Sequence, residues 1–421
     1  MKILLVNTSE RTGGAAIACS RLQEALNRQG MEARMLVNNK QTSNPMVEGI
    51  EGRWHKLWNF LWERIVIWKA NHFEKYHLFR VDIANTGTDI TRLPVFKEAD
   101  IIHLHWINQG MLSLKGLKHI FESGKPIVWT MHDLWPAMGI CHHPGDCTKY
   151  QTECQCCPQL LYRGSKHDLS YKTFHKKQKL MQGHQINFVA CSQWLKGMVE
   201  KSALMQGQAV TAIPNPIDTR LFKPIDQAEA RQRCGLPTDK KLILFGSVKV
   251  TNKYKGADYL TRACRLLASQ HPELQDELGI VTFGMQSESL QNRLPFEVFT
   301  QGYVSDTEKM IDIYNAVDLF VTPSLEENLP NMIMEAMACG TPCVGFRTGG
   351  IPEMIDHQQN GYIAEYKSAD DLATGIYWIL SHEHPEALSE QARAKVTAQY
   401  DEEVVVKQFI ELYNQIKPSH A

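Results

Sequence analysis

Four hundred and twenty-one residues exceed one ordinary core and point to two domains or three. Hydrophobic residues make up 43% and charged residues 22%, which excludes a disordered, collagen-like or coiled-coil chain. Lys and Arg number 45 against 46 Asp and Glu, a formal net charge of −1, so no nucleic-acid partner is expected.

The chain opens on a strand, KILLVN, followed by the polar TSERTGG and a helical pattern, AAIACSRLQEALNRQG, that Gly30 should end. ARMLV then reads as a second strand, which completes a βαβ unit of a parallel sheet. The rhythm continues through DIIHLHW, a helical stretch near Met111–Phe121, PIVWTMHD, INFVACS, a helix after Ser192, and AVTAIPN. Residues 1–215 are therefore expected to form one doubly wound domain. PNPIDTRLFKP, with three prolines and no period, reads as a stiff connector. Six further strand patterns follow: KLILFGS, GIVTFG, VFTQGY, DLFVTPS, TPCVGF and NGYIAEY. A second α/β domain is expected over 216–395, with Ser305 and Glu308 as a capping box before MIDIYNAV. The remaining 396–421 should hold a C-terminal helix that packs on either domain, a return to the N-terminal one being one of the two expectations. The apolar runs Ile3–Val6 and Leu242–Phe245 are too short to span a membrane, and no signal-peptide core follows Met1. A cytoplasmic location is expected, with peripheral contact at the inner face of the plasma membrane a further expectation.

Ligands of such sheets bind at the carboxyl ends of the strands, and two facing sheets would enclose a cleft for two substrates. The most specific stretch is PSLEENLPNMIMEAMACGTPCVGF, Pro323 to Phe346. It places Glu327 in a loop and Glu335 on the helix that follows. Two carboxylates so spaced are good acceptors for vicinal hydroxyls, which present paired donors. The bland alternative is a solvated loop acid and a first-turn acid facing the helix dipole.

E-x7-E before AMACGTP and after DLFVTPS closely resembles the retaining nucleotide-sugar glycosyltransferases of family 4, with the GT-B fold. The resemblance extends to the N-terminal strand–GG–helix, the connector, KYKG, GYVSDTEKMIDIYNAVDLFVTPS and TGGIPEMI. It implies two facing Rossmann-like domains with an interdomain cleft, and a donor held mainly by the second domain. It further implies that Glu335 binds donor ribose hydroxyls and Glu327 donor-sugar hydroxyls. Asn328-Leu329-Pro330 stands where many members have Gly-Phe-Gly, so donor-sugar identity does not transfer; Asn328 and Leu329 remain donor-side candidates.

A departing diphosphate needs positive charge. No D-x-D metal signature occurs, so no catalytic metal is expected. Lys255, just before Gly256, matches the family lysine that grips the diphosphate. Ser247 stands in place of the family arginine, which leaves Lys249 and Lys253 as substitutes, with a solvated lysine face as the alternative. Gly13 and Gly14 would let the backbone approach a phosphate at a helix N-terminus, or simply form a tight turn. The loop Thr348–Pro352 has the same form. By resemblance His132, at the end of PIVWTM, would lie beside the reacting centre. His105 and Asp133 are acceptor-side candidates, with packing the alternative for both histidines.

Cys141, Cys147, Cys154 and Cys157 follow a C-x5-C-x6-C-x2-C spacing that could close a structural zinc site. The alternative is a set of reduced, partly buried thiols. Residues 53–80 place Trp54, Trp58, Leu61, Trp62, Ile65 and Trp68 at helical spacing among basic residues. Such a stripe packs into a core or lies on an anionic membrane surface, and core is its commoner fate.

The combined expectation is a retaining glycosyltransferase that moves a sugar from a UDP- or GDP-sugar to a saccharide or polyprenyl-linked acceptor in surface polysaccharide biosynthesis. A sugar-nucleotide epimerase of the same fold and a non-catalytic sugar-nucleotide or glycan-binding module are the rivals.

Overall fold

Two all-parallel sheets organise the chain in a computed structural model that describes residues 1–416. Each sheet is the centre of its own unit: Met1–Pro214 together with the chain from Val405 on, and Asn215–Val404. In the first unit the strands are β1 (Lys2–Ser9), β2 (Glu32–Asn39), β3 (Val47–Gly49), β4 (Ile101–Leu104), β5 (Ile127–Met131), β6 (Asn187–Ala190) and β7 (Ala209–Ala212). They lie in the order β3-β2-β1-β4-β5-β6-β7. The second unit contains β8 (Lys241–Lys249), β9 (Leu278–Met285), β10 (Glu297–Thr300), β11 (Leu319–Thr322), β12 (Cys343–Phe346) and β13 (Gly361–Ala364). Their order is β10-β9-β8-β11-β12-β13. Only β3 has no counterpart in the sequence pattern.

Helical crossovers cover both faces of a parallel sheet, which is why its strands are apolar without alternation. In β1, Leu4 and Val6 pack into the core on one face, Ile3 and Leu5 into the core on the other. The second of these is closed by Val405, Val406, Phe409 and Tyr413 of the helix Glu402–Ile416. The Tyr413 hydroxyl lies 2.7 Å from His103 Nδ1 in β4. A separate helix, Pro385–Gln399, precedes it within the second unit, and residues 417–421 of the expected C-terminal segment lie outside the described residues.

Ser113 and Ser192 cap the helices Leu114–Phe121 and Gln193–Glu200 through the amides of Gly116 and Leu195. The expected cap at Ser305 is displaced by one residue. Asp306 accepts from the Glu308 amide at 2.8 Å and starts the helix Thr307–Ala316, because a carboxylate is the stronger acceptor for an orphan amide. The connector is not free-standing. Ile217 exchanges backbone hydrogen bonds with Tyr400 and Glu402, and the Arg393 guanidinium donates to Thr219 and Phe222 carbonyls.

The tryptophan-rich helix forms at Arg53–Ala70, but core is not the fate of its rings. Asn59, Glu63, Arg64 and Ile67 are its buried residues, and the indoles face outward. Among the described residues no helix is long and apolar enough to cross a membrane.

In both sheets the chain reverses its direction of growth beside the first strand laid down. β1 has β2 on one side and β4 on the other; β8 has β9 and β11. Loops that leave the carboxyl ends of strands at such a point are splayed apart and leave room for a ligand.

Candidate functional site

The second unit brings Lys255 and Glu327 to one switch point. The turn 253–256 follows β8, and Asn252 starts it by accepting from the Tyr254 amide at 3.1 Å. The Tyr254 carbonyl accepts from the Leu325 amide at 2.8 Å, which ties this turn to the loop after β11. Gly256 makes the approach feasible: its φ is +77°, and a Cβ there would fall 1.8 Å from the Pro323 carbonyl oxygen. Gly349 does the same on the far side, where φ is +58° and a Cβ would fall 1.8 Å from the Glu327 carbonyl oxygen. The Gly350 amide then donates to the Asn328 carbonyl at 2.8 Å. Held between these two turns, the Glu327 carboxylate pairs with the Lys255 ammonium.

Glu335 sits in the second turn of the helix Asn331–Ala338, past the first-turn position that the helix-dipole alternative required. It is half-buried, and its Oε2 accepts from the hydroxyl of Tyr314 at 2.8 Å. Tyr314 is buried in the preceding helix, so the carboxylate has a fixed neighbour. Sequence reasoning missed Tyr314 because nothing local couples it to a residue 21 positions on. Asn328 and Leu329 are buried beside the pair. Lys249 and Lys253 are exposed; the Lys253 ammonium lies 5.1 Å from the Tyr254 ring centre. Ser247 is buried in β8. A cavity of about 970 Å³ lies at the other end of this sheet, where Lys241 opens β8 and Asp318 and Pro342 precede β11 and β12.

In the first unit, Gly13 precedes the helix Gly14–Arg28 with φ +92°, and both glycines are exposed. His105 leaves the end of β4 and His132 the end of β5. His105 Nδ1 lies 3.0 Å from His132 Nε2, and His132 Nδ1 lies 3.5 Å from Cys191 Sγ. His103, two residues back on the same face of β4, lies beside His105 with the rings tilted and their centres 4.3 Å apart. Burial drives all three towards the neutral form: His132 to about 4, His103 to about 3, and His105 well below the usual imidazole value. His105 Nε2 is buried with no hydrogen-bond partner among the described residues.

Asp133 is held by partners on both of its carboxylate oxygens. Its Oδ1 accepts from the Trp135 amide at 2.8 Å, and its Oδ2 from the Trp106 indole at 2.9 Å. His142 then bridges Asp133 and Asp82 at 2.7 and 2.6 Å. Burial opposes the charge of Asp133, but His142 outweighs it and holds the carboxyl far below its usual range. Burial likewise opposes the His142 imidazolium, yet Asp133 and Asp82 lift it to about 10. Asp82 also pairs with Arg64, which pairs with Glu63 at 3.0 Å, so a buried charge chain runs from the tryptophan helix to the residue after His132.

All four cysteines of the spacing motif line one cavity of about 20 Å³ with Met138, Ile140 and Tyr150. Among the described residues no three His, Cys, Asp or Glu side chains are placed to hold a metal ion. Burial pushes the Cys154 and Cys157 thiols up to about 11 and 12, and Cys141 further still. Lys177, also unforeseen, sits behind them. Its ammonium donates to the Trp135 and Met138 carbonyls and lies 3.3 Å from the Trp135 ring centre.

Two units, each centred on an all-parallel sheet with a switch point, are the architecture of the GT-B fold. Residues 12–221 match the model described as Glycosyltransferase Family 4, and residues 226–395 that described as Glycosyl transferases group 1. The chain belongs to this family of glycosyltransferases, whose members typically need no catalytic metal. A curated relative, D-inositol 3-phosphate glycosyltransferase 2 of Catenulispora acidiphila, is 31% identical over 189 residues, 42% of this chain and 44% of the relative. The chain spans about half or less of the length of the curated relatives it matches. Among solved structures, sucrose-phosphate synthase (tll1590) from Thermosynechococcus elongatus is similar with a TM-score of 0.67 and 19% identity, over 99% of this chain and 98% of that one. Anabaena Alr3699/HepE in complex with UDP and glucose gives 0.65 and 17%, over 99% and 100%.

Proposed function

We propose that the protein is a retaining glycosyltransferase that takes a sugar from a UDP- or GDP-sugar and gives it to a saccharide or polyprenyl-linked acceptor in surface polysaccharide biosynthesis. One observation carries the reading: the Lys255–Glu327 pair stands at the switch point of the second sheet, in the chain segment that also supplies Glu335. An ammonium paired with a carboxylate suits a sugar attached to a diphosphate, whose phosphate takes the cation and whose hydroxyls donate to the acid. The UDP and glucose in the Alr3699/HepE structure agree with a nucleotide-sugar donor.

In this reading Glu335 accepts from ribose hydroxyls, Glu327 from sugar hydroxyls, and Lys255 faces the diphosphate, with Lys249 and Lys253 as the nearest further cations. The bond from the anomeric carbon to the diphosphate oxygen breaks as Lys255 stabilises the charge that develops there. The acceptor oxygen bonds to the anomeric carbon from the same face, and its proton passes to the leaving phosphate oxygen. His132 serves as a neutral hydrogen-bonding group beside the reacting sugar, oriented by His105. Gly13 and Gly14 offer backbone amides on the acceptor-side unit. A cytoplasmic location fits the nucleotide-sugar supply.

A thermal-shift screen against nucleotide sugars tests the donor assignment, since a ligand that binds only the folded state raises its stability. One or more UDP- or GDP-sugars should shift the wild-type chain, and Glu335→Ala should reduce that shift. An unchanged shift and unchanged transfer in Glu335→Ala and Lys255→Ala would overturn the reading.

A further inference from the structure

The helix Arg53–Ala70 is built inside out. Trp54, Trp58, Leu61, Trp62 and Ile65 share one face by helical spacing, and all are exposed, Trp54 to 79%. The opposite face buries charge instead: Glu63 accepts from the Ile83 and Ala84 amides, and Arg64 donates to the Leu78 and Val81 carbonyls. Those bonds lock the helix with its indoles outward, so the exposure is a fixed property of the fold. Gly110, where a Cβ would fall 2.7 Å from the Phe60 amide nitrogen, seats the helix against the loop that follows β4 and His105.

A second segment enlarges the same face. The Leu161 amide donates to Asn71 Oδ1 at 3.0 Å, and the ring of Tyr162, 81% exposed, lies 5.8 Å from that of His72. Nearby, the exposed rings of Trp68 and Phe73 meet edge to face at 4.9 Å. Soluble proteins rarely leave so many large apolar side chains together in water without a surface to receive them.

Charge identifies the surface. Over 53–80, Arg53, Lys69 and Lys75 are exposed and Lys56 and Arg80 half-buried, whereas Glu74 is the one exposed acid in that stretch. Arg163 and Lys166 add exposed positive charge from the second segment. A basic rim around tryptophan rings matches the phosphate and glycerol level of an anionic bilayer, where indoles partition and ammonium groups meet headgroups. A second copy of this chain fits poorly, because an isologous contact would set one basic rim against another.

We propose that this two-segment face, 53–80 with 161–167, docks the protein peripherally on an anionic lipid surface. The proposal goes beyond the transfer reaction, and its test measures no transfer, so either can fail without the other. Docking would hold the His105 end of the first unit close to the lipid, where a lipid-linked acceptor resides.

The test is co-sedimentation of the full chain with vesicles of equal parts phosphatidylglycerol and phosphatidylcholine, and with pure phosphatidylcholine vesicles. Binding should be about tenfold tighter on the anionic vesicles and weaken as salt rises. Trp54→Ala with Trp58→Ala should weaken it about tenfold or more, and Lys69→Glu with Lys75→Glu should abolish the anionic preference. All four side chains are exposed, so unchanged circular dichroism should accompany both variants. No binding to either vesicle, or equal binding by the tryptophan variant, overturns the proposal. So does a wild-type dimer in light scattering that the tryptophan variant abolishes while vesicles stay unbound, since the face then serves a second copy.

Discussion

Lys255 and Glu327 form an ion pair between two loops whose strands, β8 and β11, are neighbours in the sheet. Partly exposed pairs of this kind contribute little to stability, so its value lies in orientation. In the proposed reaction the carboxylate would hold an otherwise flexible ammonium towards the diphosphate.

Removing the two partners should therefore have different effects. Lys255→Ala takes away charge stabilisation of the leaving group and should lower kcat/KM about 10²-fold or more, with the donor-induced thermal shift reduced as well. Glu327→Gln keeps Lys255 and an amide oxygen that still accepts from its ammonium, so the donor shift should persist in part while kcat falls. Steady-state kinetics beside thermal shifts would separate the two, and an identical pattern for both variants would contradict the assignment.

The glycines that bring the loops together make a second prediction. Gly256→Ala and Gly349→Ala each place a methyl group on a carbonyl oxygen at a positive φ, so the loops must part. Each should destabilise the chain by roughly 1–3 kcal/mol and raise KM for the donor, because Lys255 and Glu327 no longer meet. Chemical denaturation and donor titration would read the two effects independently. Gly235→Ala, at φ +64° but with open space around its Cβ, is a control that should spare donor binding.

Much of this arrangement was legible beforehand because parallel strands and their loops are local objects. Ile3–Val6 and Leu242–Phe245 announce buried strands by lacking any polar residue, and Glu327, Glu335 and Lys255 lie in segments whose strand–loop–helix order is visible in the chain. β3 escaped notice because three residues, Val47–Gly49, carry no period. The buried charge chain escaped it for another reason: His142 and Asp82 are 60 positions apart, and nothing near either one announces the other. The outward tryptophans reversed the usual inference from an amphipathic stripe. Glu63 and Arg64 look like solvated residues until the amides of Ile83 and Ala84 and the carboxylate of Asp82 supply their partners.

The cysteine-rich loop should behave as a reservoir of protected thiols. Cys141, Cys154 and Cys157 are buried, and burial raises all three above the usual thiol range. In the native protein a thiol reagent such as Ellman's should modify the half-buried Cys147 and Cys156 well before these three. Denaturation should then release the full set of 11 cysteines. Zinc analysis of protein purified without chelator should stay below one metal per chain, and EDTA should leave the melting temperature unchanged. One tightly held zinc whose removal lowers that temperature would show that the loop closes on a metal after all.

Two buried titrating groups, His142 and Lys177, should oppose each other as pH changes. His142 is lifted to about 10 by Asp133 and Asp82 against its burial, so between about 6.5 and 10 the folded chain holds a proton that the unfolded chain has lost. Its stabilisation is complete below that window and is lost as pH rises through it. Lys177 is pushed down to about 7 by burial, so from about 7 to 10.5 the unfolded chain holds the extra proton and stability rises with pH. Near pH 8 the two slopes should largely cancel in the wild type. His142→Asn leaves the lysine slope, and stability should then climb with pH by up to about 1.4 kcal/mol per unit. Lys177→Met leaves the histidine slope, and stability should fall with pH by a similar amount. Urea unfolding of the three proteins between pH 7.5 and 8.5 reads the sign directly, whatever each substitution costs at a single pH. Parallel curves would mean that neither group changes its proton affinity on folding, and that the Asp82–His142–Asp133 bridge does not hold its charge.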